Sequence, residues 1–185
     1  LGSETDDDNA LLSDVYYLRR IEETWKDMLG GYLDLSYDWF NMRAVYMRNR
    51  LDRYDFPGGV KTPINYSSDD GTISSPTEDR LQHFFGLSFN VDYSDLLVRS
   101  EFNWFYRPYD RPSEDNVYKI MLLGVGYRIG DFTPMLTYTK FTEDKAVYTF
   151  VEEHSTRIAS LRWDFADSAA LKLQYEDFKD DSFGD

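Results

Sequence analysis

The stretch TRIASLRWDF-ADS-AALKLQYEDF, Thr156 to Phe178, decides the reading of the whole chain. It divides into two arms of about ten residues, the length of a membrane-crossing strand, joined by a tight turn. In the first arm Ala159, Leu161, Trp163 and Phe165 alternate with Ser160, Arg162 and Asp164. In the second, Ala169, Leu171, Leu173 and Tyr175 alternate with Lys172, Gln174 and Glu176. A side-chain period of two gives a strand with one apolar and one polar face.

The same unit recurs upstream. Met121, Leu123, Val125 and Tyr127 oppose Gly124, Gly126 and Arg128; Ile129-Gly130-Asp131 turns the chain, and Phe132, Pro134, Leu136 and Tyr138 return against Met135, Thr137 and Thr139. Pro134 cannot donate to a ladder, which places it at a strand start. Further back, Phe85, Leu87, Phe89 and Val91 alternate with Gly86, Ser88, Asn90 and Asp92. After a turn at Tyr93-Ser94-Asp95, Leu96, Val98, Phe102 and Trp104 oppose Arg99, Glu101 and Asn103. The first hairpin carries Leu33, Leu35 and Tyr37, a turn at residues 38–41, then Met42, Ala44 and Tyr46 against Arg43, Val45 and Met47.

Between hairpins the connections are long. Residues 51–80 carry Pro57-Gly58-Gly59, Pro63, Asp69-Asp70-Gly71 and Pro76 with no periodicity. A structureless loop of about 30 residues is unusual in a compact soluble domain but ordinary in an outer-membrane barrel. Shorter ones follow at residues 107–112 and 142–153. Residues 1–29 read as an acidic, irregular segment, with residues 14–21 as a strand or residues 13–28 as a short helix. The expected domains are therefore this segment and a β-barrel over residues 30–185.

Tight and long connections alternate strictly, and aromatic rings mark both ends of the strands. Tyr37, Trp39, Tyr93, Tyr127, Phe132, Trp163 and Phe165 lie beside the tight turns; Trp104, Tyr138 and Tyr175 lie toward the loops. Two aromatic belts bracketing an aliphatic middle fit the two membrane–water interfaces. The expected fold is all-β: an antiparallel transmembrane up-and-down β-barrel. At least eight strands lie in this chain, with short periplasmic turns and long extracellular loops.

Composition agrees. Aromatic residues make up 17% of the 185 residues. The mean hydropathy of −0.58 is what alternation produces, since the polar face masks the apolar one. A net charge of −14 argues against a nucleic-acid partner, which requires a basic surface. There is no cysteine, so there is neither a disulfide framework nor thiolate chemistry.

The segment of residues 161–175, LRWDFADSAALKLQY, resembles the C-terminal hairpin of Gram-negative outer-membrane porins. Residues 123–140, LGVGYRIGDFTPMLTYTK, resemble the hairpin that precedes it in that family. The resemblance holds over residues 117–185 and is one of pattern alone back to Gly30. It implies a passive channel for small hydrophilic solutes in the bacterial outer membrane, among lipid and lipopolysaccharide, with homo-oligomers in view. Porins have roughly 16 strands and end in an aromatic residue. This sequence stops at Gly184-Asp185, so the expectation is the C-terminal part of a larger barrel or an incomplete sequence.

On this reading Arg43, Arg99, Glu101, Arg128, Arg162, Asp164 and Lys172 are the pore-lining candidates, because rings of charge select permeating ions by sign. Their competing role is to pair with one another across strands. Leu87, Phe89, Leu123, Val125, Leu161, Leu171 and Leu173 are expected to face lipid. No cofactor or metal is expected: His83 and His154 form no ligand pattern, and Asp69-Asp70-Gly71 lacks calcium-loop spacing. Nor is an enzyme expected, since His154 beside Ser155 is a dipeptide and not a catalytic geometry. The alternatives are a small barrel that adheres or binds through its loops, and a soluble ligand-binding β-barrel. The soluble barrel would turn the apolar faces inward.

Overall fold

The computed structural model describes residues 2–6, 20–67, 73–107, 116–144 and 152–182. Twelve strands follow in chain order: β1 (Gly2–Asp6), β2 (Ile21–Tyr37), β3 (Phe40–Asp55), β4 (Thr62–Pro63), β5 (Asn65–Ser67), β6 (Ile73–Pro76), β7 (Arg80–Tyr93), β8 (Leu96–Arg107), β9 (Asn116–Tyr127), β10 (Phe132–Asp144), β11 (Glu153–Ala166) and β12 (Ala169–Asp180). A single 3-10 turn, Pro57–Gly59, is the one helical element among the described residues.

Ten strands form one antiparallel sheet in the order β1-β2-β3-β7-β8-β9-β10-β11-β12, with β4 beside β3; β5 and β6 pair separately. The long strands follow one another as an up-and-down meander, as expected. The sheet is open: among the described residues β12 pairs only with β11.

Period-two alternation becomes two continuous faces because the register holds across the meander. Phe40, Val91, Val98, Val125, Leu136, Ala159 and Tyr175 are successive partners on seven strands. One residue further from the turns, Asn41, Asn90, Arg99, Gly124, Thr137, Ile158 and Glu176 form the equivalent row on the other face. Sliding any strand by one residue would swap its faces.

The tight turns share one end of the sheet. Asp38 and Ser94 take left-handed backbone, with φ of 41° and 54°, a conformation that aspartate tolerates better than most residues. Each turn is also tied to the next hairpin, since Asp92 N donates to Trp39 O, Arg128 N to Asp95 O and Asp164 N to Asp131 O, all at 2.8 Å. The long connections all lie at the opposite end.

Three expectations need correction. The strand read from residue 30 begins at Ile21, so residues 21–29 are not irregular. A bulge hid them: Lys26 faces Arg50 while Leu29 faces Arg48, one extra residue on β2. Beyond it the parity reverses, and Ile21 and Trp25 turn to the polar face. Asp27 occupies the bulge with φ 51°. Second, residues 2–6 of the acidic run form β1 against the loop end of β2. Third, the connection after the first hairpin is not structureless. β3 extends to Asp55, and β4, β5 and β6 lie within the remainder. The alternative helix over residues 13–28 is overturned from Ile21 onward, where the chain is strand β2; the rest of that stretch, and of the strand expected over residues 14–21, falls largely outside the described residues, as do most of the two shorter loops.

Among the described residues the only buried apolar side chains are Ile21 and Leu51, each 1% exposed. The fold is held by its ladders, not by an enclosed core. Gly30 is the tightest contact in the first hairpin: a Cβ there would meet Met47 Cγ at 2.7 Å and Tyr46 O at 2.9 Å, whereas at Gly31 it would meet nothing within 4 Å. Gly30→Val is expected to cost about 1–3 kcal/mol by overpacking. Gly31→Val, with a better strand former in open space, should be neutral or stabilising. Urea unfolding of the two variants refolded in detergent micelles checks this.

Candidate functional site

The polar face gathers the charged residues singled out in the sequence. Arg43, Arg99, Glu101, Arg128, Arg162, Asp164 and Lys172 all take the parity of that face, on β3, β8, the turn after β9, β11 and β12. Leu87, Phe89, Leu123, Val125, Leu161, Leu171 and Leu173 all take the opposite parity. The aromatic residues named beside the turns and loops share the apolar face or, in Trp39, a turn.

Near the turn end, most of the charges on the polar face pair with one another. Arg43 faces Asp34 across β2 and β3 and binds it with two bonds, Nε to Oδ1 at 2.6 Å and Nη2 to Oδ2 at 2.8 Å. Arg128 reaches back to Asp92 in the same forked way, at 2.7 and 2.8 Å, and also donates to Ser94 O at 2.9 Å. Its hydrogen bonds to the Asp92 carboxylate raise the Arg128 pKa above its ordinary value. Arg162 binds Asp164, two residues along its own strand, with Nη2 at 2.6 Å from Oδ1. Forked guanidinium–carboxylate pairs of this kind are stiff as well as strong.

Two cations differ. Arg99 donates to the backbone carbonyls of Val91 and Val98, at 3.2 and 3.1 Å, and no carboxylate forms an ion pair with it among the described residues. Lys172 stands opposite Arg162 in the ladder and likewise makes no ion pair among the described residues. A cavity of about 440 Å³ opens in this face between Arg43, Ser88, Asn90, Arg99, Glu101 and Asn103. Glu101 accepts from Asn103 Nδ2 at 2.7 Å.

At the loop end the polar face is closed over. Glu23 and Arg53, partners in the β2–β3 ladder, form a buried ion pair, 5% and 6% exposed. The residue 56–79 connection packs there through Arg53 N to Thr77 O at 2.8 Å and Ile64 N to Arg53 O at 2.9 Å. Nearby, beyond the apolar band, burial and a hydrogen bond to Glu78 push the Tyr54 hydroxyl up to about 12.

The two histidines lie near the loop-side ends of their strands. His83 sits in β7 on the apolar face, its Nδ1 2.7 Å from the Tyr46 hydroxyl. His154 sits in β11 on the polar face, stacked on Phe141 at 4.9 Å. Alternation sends Ser155 to the face opposite His154, so that dipeptide forms no catalytic pair. Among the described residues no group of His, Asp and Glu is placed to hold a metal.

Sequence reasoning missed an aromatic row on the polar face. Phe84, Phe105 and Tyr118 are successive ladder partners; Phe141 and His154 continue the row on β10 and β11, and Phe178 on β12 closes it. The signal was present in the alternate positions, but each ring stands beyond the stretch where its strand alternates cleanly.

An up-and-down antiparallel meander with one apolar face, one charged face and loops segregated by length is the fold of the outer-membrane β-barrels. Among solved structures, the chain is similar to OmpT, an outer membrane protein of Vibrio cholerae, in its in-vitro folded trimer form, with a TM-score of 0.55. At 9% identity the likeness is one of fold. The alignment covers 96% of this chain and 53% of that one, so the chain spans about half the neighbour's length. No protein-family model matches the sequence, and no curated relative does.

Proposed function

We propose that this chain forms wall of an outer-membrane porin, a passive diffusion channel for small hydrophilic solutes, with its apolar face to lipid and its polar face to the lumen. The observation that carries this reading is where the large apolar side chains lie. Leu123, Val125, Leu136, Leu171 and Leu173 are 45–69% exposed on one continuous face, while among the described residues Ile21 and Leu51 are the only buried apolar side chains. Apolar exposure on that scale requires an apolar surrounding. A soluble ligand-binding barrel would pack these residues together.

Distances along the strands support it. From Phe132 to Tyr138, β10 carries no charge on its apolar face, and Lys140 comes next on that face. Eight residues of strand span about 26 Å; tilted by roughly 40°, they cover about 20 Å of the ~25 Å apolar band of such barrels. From the edge of the band outward the apolar face turns charged, with Arg48, Lys119, Lys140, Arg157 and Lys179 among Asp144, Glu153 and Asp177. Lys119 pairs with Asp144 and Lys140 with Glu153, which keeps that rim soluble.

The lumenal charges then act mainly as a fixed electrostatic lining. Forked pairs neutralise Arg43, Arg128 and Arg162 locally. Arg99, which hydrogen-bonds only to carbonyls and feels Asp92 through space, and Lys172 lack a forked carboxylate partner, and Arg99 lies in the wall of the 440 Å³ cavity.

The refolded protein in a planar bilayer is expected to give conductance steps that fall as the size of an added polymer rises; a silent bilayer overturns the channel. Arg99→Glu should move the reversal potential toward cation selectivity. Arg128→Glu should move it less, because the new carboxylate would sit beside Asp92 and one of the two would hold a proton. Two neighbours on β9 test the faces. Leu123→Arg should cost about 2–4 kcal/mol, the penalty for arginine toward mid-bilayer lipid. Leu122→Arg, opposite Glu101 on the polar face, should cost below about 1 kcal/mol. Urea unfolding from lipid vesicles, followed by tryptophan fluorescence, measures both; equal losses would sink the assignment of faces.

A further inference from the structure

β2 and β12 end the run of long strands, and each lacks a neighbour along one side. All 12 residues of β12 are exposed, and so is every residue of β2 from Leu29 to Tyr37. None of the strands between them is exposed throughout. A Cβ at Gly31 would meet nothing within 4 Å. β1 covers β2 only from Glu23 to Met28. The free half of β2 carries Leu33, Leu35 and Tyr37 on the apolar face, and the first half of β12 carries Leu171, Leu173 and Tyr175. Beyond Tyr175 the same face of β12 is charged, at Asp177 and Lys179.

A register repeated between hairpins sets how these two edges fit. Phe40, Leu96 and Phe132, the first residues of three return strands, pair with Val91, Tyr127 and Trp163. In each case the residue after the partner, Asp92, Arg128 or Asp164, donates its N–H to the carbonyl just before the return strand. Ala169 is the first residue of the fourth return strand. The β2 turn has the two-residue form of the β7 turn, Tyr37 closing on Phe40 as Tyr93 closes on Leu96. Val91 stands two residues before Tyr93, so by the same rule Ala169 falls opposite Leu35. Leu171 then faces Leu33, Lys172 faces Tyr32 and Leu173 faces Gly31, and both faces continue without a slip of parity. Tyr175 reaches Leu29, so the seam fills the uncovered half of β2 and stops where β1 begins. Lys172, whose ladder partner within the chain is the like-charged Arg162, comes diagonal to Asp34, a spacing that long side chains reach. The tilt agrees as well. A ladder row followed strand by strand from Leu33 ends on Lys179, eight residues from Leu171. Eight residues rise about 27 Å across eight strand spacings of about 38 Å in total, a tilt of about 35°, which lies within the range of membrane barrels.

We propose that the free edge of β12 pairs with the free half of β2 in a second copy of this chain, and that two copies close one barrel. This rests on the apolar face lying in lipid, where an unpaired edge has no solvent to satisfy it. The contact is head to tail. Each copy offers one β12 edge and one β2 edge, so two equivalent seams close the ring and leave no edge bare. The eight long strands of each copy, β2, β3 and β7 to β12, give a barrel of about 16 strands, an even number within the range of such barrels. Pairing of the two edges within a single chain would shut Arg99 and Lys172, neither of them in an ion pair among the described residues, into an eight-stranded interior that side chains fill. Two copies leave both in water. They also match the scale of the structural neighbour, of which one copy spans 53%.

The test is disulfide cross-linking of the full chain, which has no cysteine of its own. Facing residues of antiparallel strands have Cα atoms about 4.5–5.5 Å apart, within reach of a disulfide. Leu33→Cys and Leu171→Cys, made as separate variants, refolded together in detergent micelles and oxidised, are expected to give a covalent dimer. The double variant is expected to give the same dimer. Leu29→Cys mixed with Leu171→Cys lies on the same face but four residues out of register, and should give at least tenfold less. A disulfide formed only within single chains of the double variant overturns the second copy. So does the absence of any cross-link, or a yield from the Leu29 pair equal to that from the Leu33 pair. Native mass spectrometry of the unaltered chain reads the same pairing without a substitution: a unit of two 21.8 kDa chains is expected, and single chains overturn it. Conductance from single chains keeps the channel and removes the second copy; a cross-linked dimer in a silent bilayer keeps the pairing and removes the channel.

Discussion

Everything in this structure depends on the register of the inter-strand ladder. With two fully buried apolar side chains among the described residues, there is no interior to select the native arrangement. The ladder must do so, and it does through parity. One residue of slip on any strand would put arginine among leucines. In a polar solvent that would cost little; against hydrocarbon it costs several kcal/mol per charge. With lipid on the apolar face, as proposed, the surroundings would enforce the register; in either case the register produces the two faces.

This explains which parts of the molecule were legible in sequence. From Phe85 to Val91, or from Ala159 to Phe165, every second residue is apolar, and the two faces can be read directly. The β2 bulge shows where reading stops. Ile21, Glu23 and Trp25 belong to the same face as Gly30 and Asp34, but an extra residue at Asp27 breaks the count between them. A bulge leaves no compositional mark, so a period-two reading ends where it begins. The residue 56–79 connection was hidden for another reason: its short strands pair through backbone groups, as in Arg53 with Thr77, and need no alternation.

The charged candidates were located by parity alone, and parity does not reveal partners. Arg43, Arg128 and Arg99 looked alike in sequence. In the fold the first two have forked carboxylate partners, Asp34 on the neighbouring strand and Asp92 on a strand 36 residues away in sequence, while Arg99 has only carbonyls. The aromatic row shows the same limit. Its rings come from six strands, and nothing local in any of them indicates that the others line up. Only the stagger between strands brings Phe141 beside Tyr118, because each hairpin contributes its own offset to the row.

The open sheet adds a constraint of its own. In water the free edge of β12 would be satisfied by solvent. Within hydrocarbon every backbone donor and acceptor needs a partner, and only helices or closed barrels meet that demand. The apolar face argues for lipid, and lipid forbids a bare edge. On the proposed membrane reading, the free sides of β12 and of the turn-end half of β2, which β1 leaves uncovered, would need partners, each other or further strands. Direct closure would give a narrow barrel in which the rings of the polar face fill the lumen. Closure through added strands, on the scale of a neighbour about twice this length, would leave that face open to water.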